Sequence, residues 1–249
     1  MACNVCSGHL WPRLVLILLR GGNEMALLVD SARLDDVAQV CRDFPVAGVT
    51  TNPTIVLAAI ERGQKLSLDD LARELLVLCP GPVFLQPVAE DKDELVAAGR
   101  VCTAIDPARI VLKLPMTADG LHAGKLLGSE GARIAYTAVY TLPQAYHGLL
   151  AGAEWIIPYF GRLRRAGLDA CARIGEMARL LRAQHAETRL LVASLKSPDD
   201  AIEATLAGAH DITAQPDVIR AMIHSPLTSD ALAGFTNDWR LVQQALEQG

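Results

Sequence analysis

The sequence contains no long hydrophobic run. Its apolar terminal stretch, Leu14–Leu19, is too short to span a bilayer. No basic segment leads into it, and Arg20 follows with no small-residue cleavage site, so it does not read as a secretory signal. No block of like charges occurs either. The net charge of −5 is dispersed, which argues against nucleic acid or an anionic membrane as a partner. The six cysteines, at 3, 6, 41, 79, 102 and 171, follow neither a disulfide framework nor zinc-finger spacing. That usage fits a reducing, cytoplasmic setting. Cys3 and Cys6 form a C-x-x-C with no second pair, so they are expected to be two thiols on a loose terminus rather than a metal site. No Gly-x-Gly-x-x-Gly opens a helix after the first strand, which weighs against a dinucleotide fold. No Gly-, Ser- or Pro-rich linker divides the chain, so one domain is the economical expectation.

What is present is alternation. From Met25 onward, apolar segments of strand type exchange with segments of helical period. Strands are expected at Ala26–Asp30, Gly48–Asn52, Val83–Val88, Ile110–Pro115, Arg133–Val139, Trp155–Phe160, Leu190–Leu195 and Asp211–Ala214. Helical stretches between them include Asp91–Ile105, Gly120–Ser129, Pro143–Ala151 and Asp199–Leu206. Asp30-Ser31, Thr117 and Ser197-Pro198 offer N-cap chemistry, and Gly131, Gly152 and Gly208 offer stops. Eight such units in 249 residues, 51% of them hydrophobic, predict a single α/β (β/α)8 TIM barrel rather than an open sheet. A helical tail is expected from about Thr228 to Leu246. Met1–Glu24 is expected to be an extension outside the barrel domain of 25–249, disordered or non-native, with Met25 as the candidate true start.

The strand of most chemical interest is Ile110-Val111-Leu112-Lys113-Leu114-Pro115. A lysine among branched aliphatics loses hydration on folding. Its ammonium is then disfavoured and its pKa falls, leaving an amine able to attack a carbonyl. A lysine that snorkels its charge to water is the bland alternative. Other expected strands also carry a polar residue near the C-terminal end, where barrel active sites lie: Asp30, Thr50 with Asn52, Gln86, Thr137, Tyr159 and Ser194. Period-two alternation puts Val111 and Lys113 on one face, opposite Ile110, Leu112 and Leu114. Singly, each polar residue has an ordinary structural explanation. Jointly, they outline a site.

These residues carry a family resemblance. Gly48-Val49-Thr50-Thr51-Asn52-Pro53-Thr54-Ile55 resembles the signature near the second strand of the transaldolase family. Val111–Pro115 with Thr117 and Gly120-Leu121 resembles that family's Schiff-base lysine segment. Tyr136–Tyr140, Ala151–Glu154, Pro158-Tyr159 with Arg162, Val192–Ser194, Pro226–Thr228, and Phe235 with Asp238-Trp239 follow in the same order. Gln86 in place of a typical Glu, and Tyr159 in place of a typical Phe, resemble the fructose-6-phosphate aldolase branch. The stretch Leu163–Leu168 departs from the family's Gly-rich, Asp-containing pattern. Its extra arginines bear on phosphate binding or acceptor choice, and the unusual Tyr136 and Gln215 bear on substrate range.

The resemblance implies a class I aldolase with no metal and no cofactor. Its catalytic set would be Lys113, Tyr159, Gln86, Thr137 and Asp30. Lys113 forms the Schiff base, and Tyr159 acts as acid and base through a water held with Gln86 and Thr137. Thr50, Asn52 and Ser194 bind the donor, and Arg162 binds the acceptor phosphate through its planar fork. The implied reaction is reversible cleavage of fructose 6-phosphate to dihydroxyacetone and glyceraldehyde 3-phosphate. The alternatives are a transaldolase that passes the dihydroxyacetone unit between sugar phosphates, and a noncatalytic sugar-phosphate-binding barrel. The implied assembly is a homo-oligomer, in this type often a decamer, with the C-terminal helix crossing to a neighbour.

Overall fold

The computed structural model describes residues 25–247. The extension before Met25, with its C-x-x-C, lies outside the described residues. Eight parallel strands close in sequence order into a barrel. They are β1 (Ala26–Asp30), β2 (Gly48–Thr50), β3 (Val83–Leu85), β4 (Ile110–Pro115), β5 (Arg133–Val139), β6 (Trp155–Pro158), β7 (Arg189–Val192) and β8 (Asp211–Ala214). The ring is sealed where β8 pairs with β1, Ala26 opposite Asp211 and Leu28 opposite Thr213. Four strands match the expected bounds. The other four hand over to loops early, so Asn52, Gln86, Tyr159 and Ser194 stand just past the hydrogen-bonded ladder.

Around the barrel run α1 (Leu34–Asp43), α2 (Pro53–Glu61), α3 (Leu68–Leu78), α4 (Lys92–Ile105), α5 (Ala118–Ser129), α6 (Leu142–Leu150), α7 (Phe160–Arg165), α8 (Ala170–Ala183), α9 (Pro198–Leu206), α10 (Pro216–Ala221) and α11 (Pro226–Glu247). Thr117 and Ser197 accept from the amides of Gly120 and Asp200, as N-caps do. Thr141 and Gln144 form a reciprocal capping box on α6. Gly131, Gly152 and Gly208 hold φ of 91°, 75° and 109° at helix exits, a conformation that favours glycine. The expected cap at Asp30-Ser31 is not one. α1 starts after Arg33 with no side-chain cap, Ser31 Oγ accepts from the Arg33 amide, and Asp30 is engaged inside the barrel.

Alternation sorts the core into two layers. Leu28, Phe84, Val111, Ala135, Trp155, Ile157, Leu191 and Ala193 pack inside the ring. Ile110, Leu112, Leu114, Tyr136 and Ile156 pack between ring and helices. At the N-terminal floor the buried Asp211 carboxylate accepts from Arg189 at 2.6 and 2.7 Å, from Trp155 Nε1 at 3.0 Å and from the Ala26 amide at 2.9 Å. A buried carboxylate with that many donors is compensated, and it ties β8 to β1, β6 and β7. A cavity of about 750 Å³ opens at this floor, away from Lys113.

The last helix stands apart. α11 has no buried residue, and Leu227, Leu232, Phe235, Trp239, Leu241, Val242 and Leu246 are all exposed. It begins two residues before the expected Thr228, with Pro226 in its first turn. Among the described residues, no helix is long and apolar enough to cross a membrane.

Candidate active site

Lys113 is the fourth residue of β4 and is 2% exposed. Its inward direction follows from the pleat, because Val111 lies in the inner layer while Leu112 and Leu114 lie in the outer one. Nζ donates to the Thr51 carbonyl at 2.8 Å. Burial holds the amine below the ordinary lysine range, and the Asp30 carboxylate partly opposes that shift.

Asp30 closes β1. Its Oδ1 accepts from Thr50 Oγ1 at 2.6 Å, and that hydroxyl lies 2.7 Å from Thr213 Oγ1. Burial raises the Asp30 carboxyl, while Lys113, the Thr50 hydroxyl and Lys196 pull it back down. Both members of the Lys113–Asp30 pair are therefore pushed towards their neutral forms. Thr50 is fully buried and pairs with Asp30 across the β1–β2 ladder, where its hydroxyl holds the carboxylate.

A second group forms where β5 and β6 end. Thr137 Oγ1 lies 2.9 Å from the Tyr159 hydroxyl. The Arg162 guanidinium carbon sits 5.0 Å from the centre of the Tyr159 ring, and the Tyr140 ring meets Tyr159 edge-on at 6.0 Å. Arg162 Nη1 reaches the Tyr140 hydroxyl at 3.5 Å. Burial raises the Tyr159 phenol above its usual value, against smaller opposing pulls from Thr137 and Arg162, so it stays protonated at neutral pH. A protonated phenol in a polar mouth can deliver a proton.

The remaining expected residues are less uniform. Gln86 Oε1 is buried without a hydrogen-bond partner among the described residues. Asn52 caps α2, its carboxamide oxygen accepting from the Ile55 amide at 3.1 Å, which leaves the amide NH2 for other work. Ser194 sits at φ 64°. That left-handed residue breaks the alternation running through Leu191 and Ala193. The backbone there lies so close to Gly161 that a Cβ at Gly161 would come 2.4 Å from Ser194 O. Glycine is required at that crossing, where the Gly161 amide donates to Ser194 O at 3.0 Å.

Two residues of the mouth were not among those expected. Lys196 bears electrostatically on Asp30, and it lies two residues past Ser194, where a cation at period two was a usable signal. Tyr140 braces Tyr159 and Arg162. One expectation needs correction. Tyr136 does not bear on substrate range, because it points outward and its hydroxyl packs against Gly124 of α5. Thr137 takes the inward position, so the pleat forces its neighbour out. Gln215 is exposed at the start of α10, immediately after the C-terminal end of β8. Of the extra arginines, Arg164 is engaged by Asp200 and Glu203 rather than directed to the mouth. No group of three or more His, Cys, Asp or Glu among the described residues could hold a metal ion.

A model of the family described as Transaldolase/Fructose-6-phosphate aldolase matches residues 27–248. A curated protein named "Probable transaldolase", from Herpetosiphon aurantiacus, is 33% identical over 221 residues, covering 89% of this chain and 97% of that protein. Among solved structures, a mandelate oxidase variant with a monooxide FMN adduct superposes with a TM-score of 0.53 at 14% identity, covering 79% of this chain and 65% of that one. The variant with 4-Br-2-hydroxy-methylphenylacetate gives 0.54 at 14% identity, over 79% and 66%. At that identity the likeness is one of barrel fold alone. With a family match across almost all described residues and a lysine-centred mouth, the chain belongs to the transaldolase/fructose-6-phosphate aldolase family.

Proposed function

We propose that this protein is a class I aldolase that reversibly cleaves fructose 6-phosphate to dihydroxyacetone and glyceraldehyde 3-phosphate. The observation that carries the reading is Lys113: a lysine 2% exposed, beside Asp30, in a mouth that also holds a protonated phenol. Desolvation favours the neutral amine needed to attack the C2 carbonyl. Loss of water from that adduct forms an iminium. The C3–C4 bond then breaks, its electron pair passes to the iminium as an enamine, and the C4 hydroxyl gives up its proton as glyceraldehyde 3-phosphate leaves. Protonation of the enamine carbon and hydrolysis of the imine release dihydroxyacetone and restore the amine. The iminium is the electron sink, so the reaction needs no metal.

Tyr159 supports aldolase over transfer chemistry. Its hydroxyl can protonate the enamine through a water shared with Gln86 and Thr137, and Gln86 is not a carboxylate. Asp30, Asn52 and Ser194 orient the donor hydroxyls, with Thr50 holding Asp30. Arg162 and Lys196 meet the phosphate. The acting form is a homo-oligomer built through α11. A second reading, transaldolase, is favoured by the name of the curated relative from Herpetosiphon aurantiacus.

Incubation with fructose 6-phosphate and no acceptor aldehyde separates the two. Free dihydroxyacetone should accumulate catalytically, and borohydride should leave a stable adduct on Lys113 that is absent in Lys113→Met. No release of dihydroxyacetone, together with formation of a seven-carbon ketose phosphate once erythrose 4-phosphate is added, would establish transfer. An adduct on a different lysine would remove the proposed mechanism, and no adduct at all would favour a noncatalytic barrel.

A further inference from the structure

Arg164 lies in the stretch that departs from the family pattern, and its guanidinium bridges two acidic side chains. Nη1 donates to Asp200 Oδ1 at 2.7 Å, Nη2 pairs with Glu203, and the guanidinium carbon stands 4.8 Å from the centre of the Phe160 ring. Asp200 is 5% exposed, and its other oxygen, Oδ2, accepts from the Lys196 backbone amide at 2.7 Å. One buried carboxylate thus joins the turn after β6 to the loop after β7. The two segments also touch along their backbones, where the Phe160 amide donates to Ala193 O at 2.9 Å and the Gly161 amide to Ser194 O at 3.0 Å. Ser194 sits at φ 64°, an unfavourable conformation that needs outside support.

The placement of these partners matters. Arg162 leaves the same short helix as Arg164, two residues earlier. Ser194 and Lys196 leave the loop held by Asp200. We infer that the Arg164–Asp200 pair is a positioning clamp that sets the distance between Arg162 on one loop and Ser194 and Lys196 on the other, and so determines affinity for the phosphate end of the substrate. The inference rests on the proposed aldolase reading for its substrate. Arg164 itself acts through Asp200 rather than on phosphate, with Nη1 and Nη2 held by Asp200 and Glu203. A buried carboxylate relieved of its guanidinium shifts to recover donors, and the loop whose amide it holds shifts with it.

The aldol direction tests the clamp, with dihydroxyacetone as donor and either glyceraldehyde 3-phosphate or glyceraldehyde as acceptor. Arg164→Ala should raise KM for glyceraldehyde 3-phosphate about tenfold, the scale of one weakened charge-assisted contact. Both kcat and the kcat/KM for glyceraldehyde should stay within about twofold. Arg164→Lys should restore most of the loss, because an ammonium can still meet Asp200. Asp200→Asn keeps an acceptor for the Lys196 amide and removes the charge, so adding it to Arg164→Ala should raise KM no further. A general packing defect would lower the rates with both aldehydes equally, and that outcome overturns the clamp, as does an unchanged KM. A binding assay independent of turnover uses inorganic phosphate. Phosphate should raise Tm of the parent protein, and Arg164→Ala should reduce that rise. An equal rise in parent and variant overturns the clamp even if neither protein cleaves fructose 6-phosphate, a result that would count separately against the aldolase reading.

Discussion

Thr137 Oγ1 stands 2.9 Å from the Tyr159 hydroxyl, and β5 and β6 lose register immediately beyond Thr137. Thr137 pairs with Ile157, but Val139 pairs with Pro158, and Ala138 between them takes φ 58°. A non-glycine residue in that region is strained, and such bulges occur where a barrel rim re-aims side chains. Here the bulge coincides with the meeting of two hydroxyls at the mouth.

Removing the phenol tests its role in release. Tyr159→Phe keeps the ring and its contacts with Tyr140 and Arg162, so the fold should persist. Loss of a general acid costs about 10²–10⁴-fold, and free dihydroxyacetone release should fall by that order. Adding Gln86→Glu should recover transfer to erythrose 4-phosphate, because a carboxylate can hold the water and shuttle protons. Side-by-side assays with and without erythrose 4-phosphate read both effects. Release at the parent rate in Tyr159→Phe would leave the hydroxyl without this role.

The Lys113–Asp30 pair makes a prediction about pH. Imine formation needs the neutral amine, so its rate rises with pH through the Lys113 pKa, which burial holds below 10.5. The Asp30 carboxylate favours the ammonium and opposes that shift. Asp30→Asn removes the opposition, so the midpoint should move to lower pH. Cyanoborohydride trapping of the dihydroxyacetone adduct across pH measures it. A midpoint that moves upward would show that the carboxylate does not act on the amine in this way.

Gly124 illustrates a constraint outside the site. A Cβ there would lie 2.1 Å from the Tyr136 hydroxyl, which is itself buried without a hydrogen-bond partner among the described residues. Gly124→Ala should therefore destabilise the fold, by about 1–3 kcal/mol for an overpacked core. In a Tyr136→Phe background the cost should shrink, since the nearest clashing atom is gone. Urea unfolding of the four proteins gives the coupling, and equal costs in both backgrounds would refute it.

The exposed stripe of α11 should be covered in the assembled protein. Leu227, Leu232, Phe235 and Trp239 present large apolar surface with no partner in the described chain. Deletion from Leu227 onward should lower the particle mass in light scattering by whole subunits. A particle that loses only the mass of the deleted residues would show that assembly does not depend on this helix.

The barrel was legible in the order of amino acids alone, because the periods of its segments are local. A strand alternates every two residues and a helix turns every 3.6, so β1, β4, β5 and β8 were legible to the residue. So was the inward face of Lys113. Alternation from Thr137 would also have turned Tyr136 outward. Asp30 could not be told from a helix cap locally, since its partners Thr50, Lys113 and Lys196 come from other strands and loops. Ser194 was legible as a polar residue near a strand end, but its left-handed backbone depends on the approach of Gly161. Arg164 read as a further cation for phosphate until Asp200, 36 positions later, took its charge. Which charges meet was therefore settled only on folding. Pairing energy depends on distances and burial that exist only after the chain closes on itself.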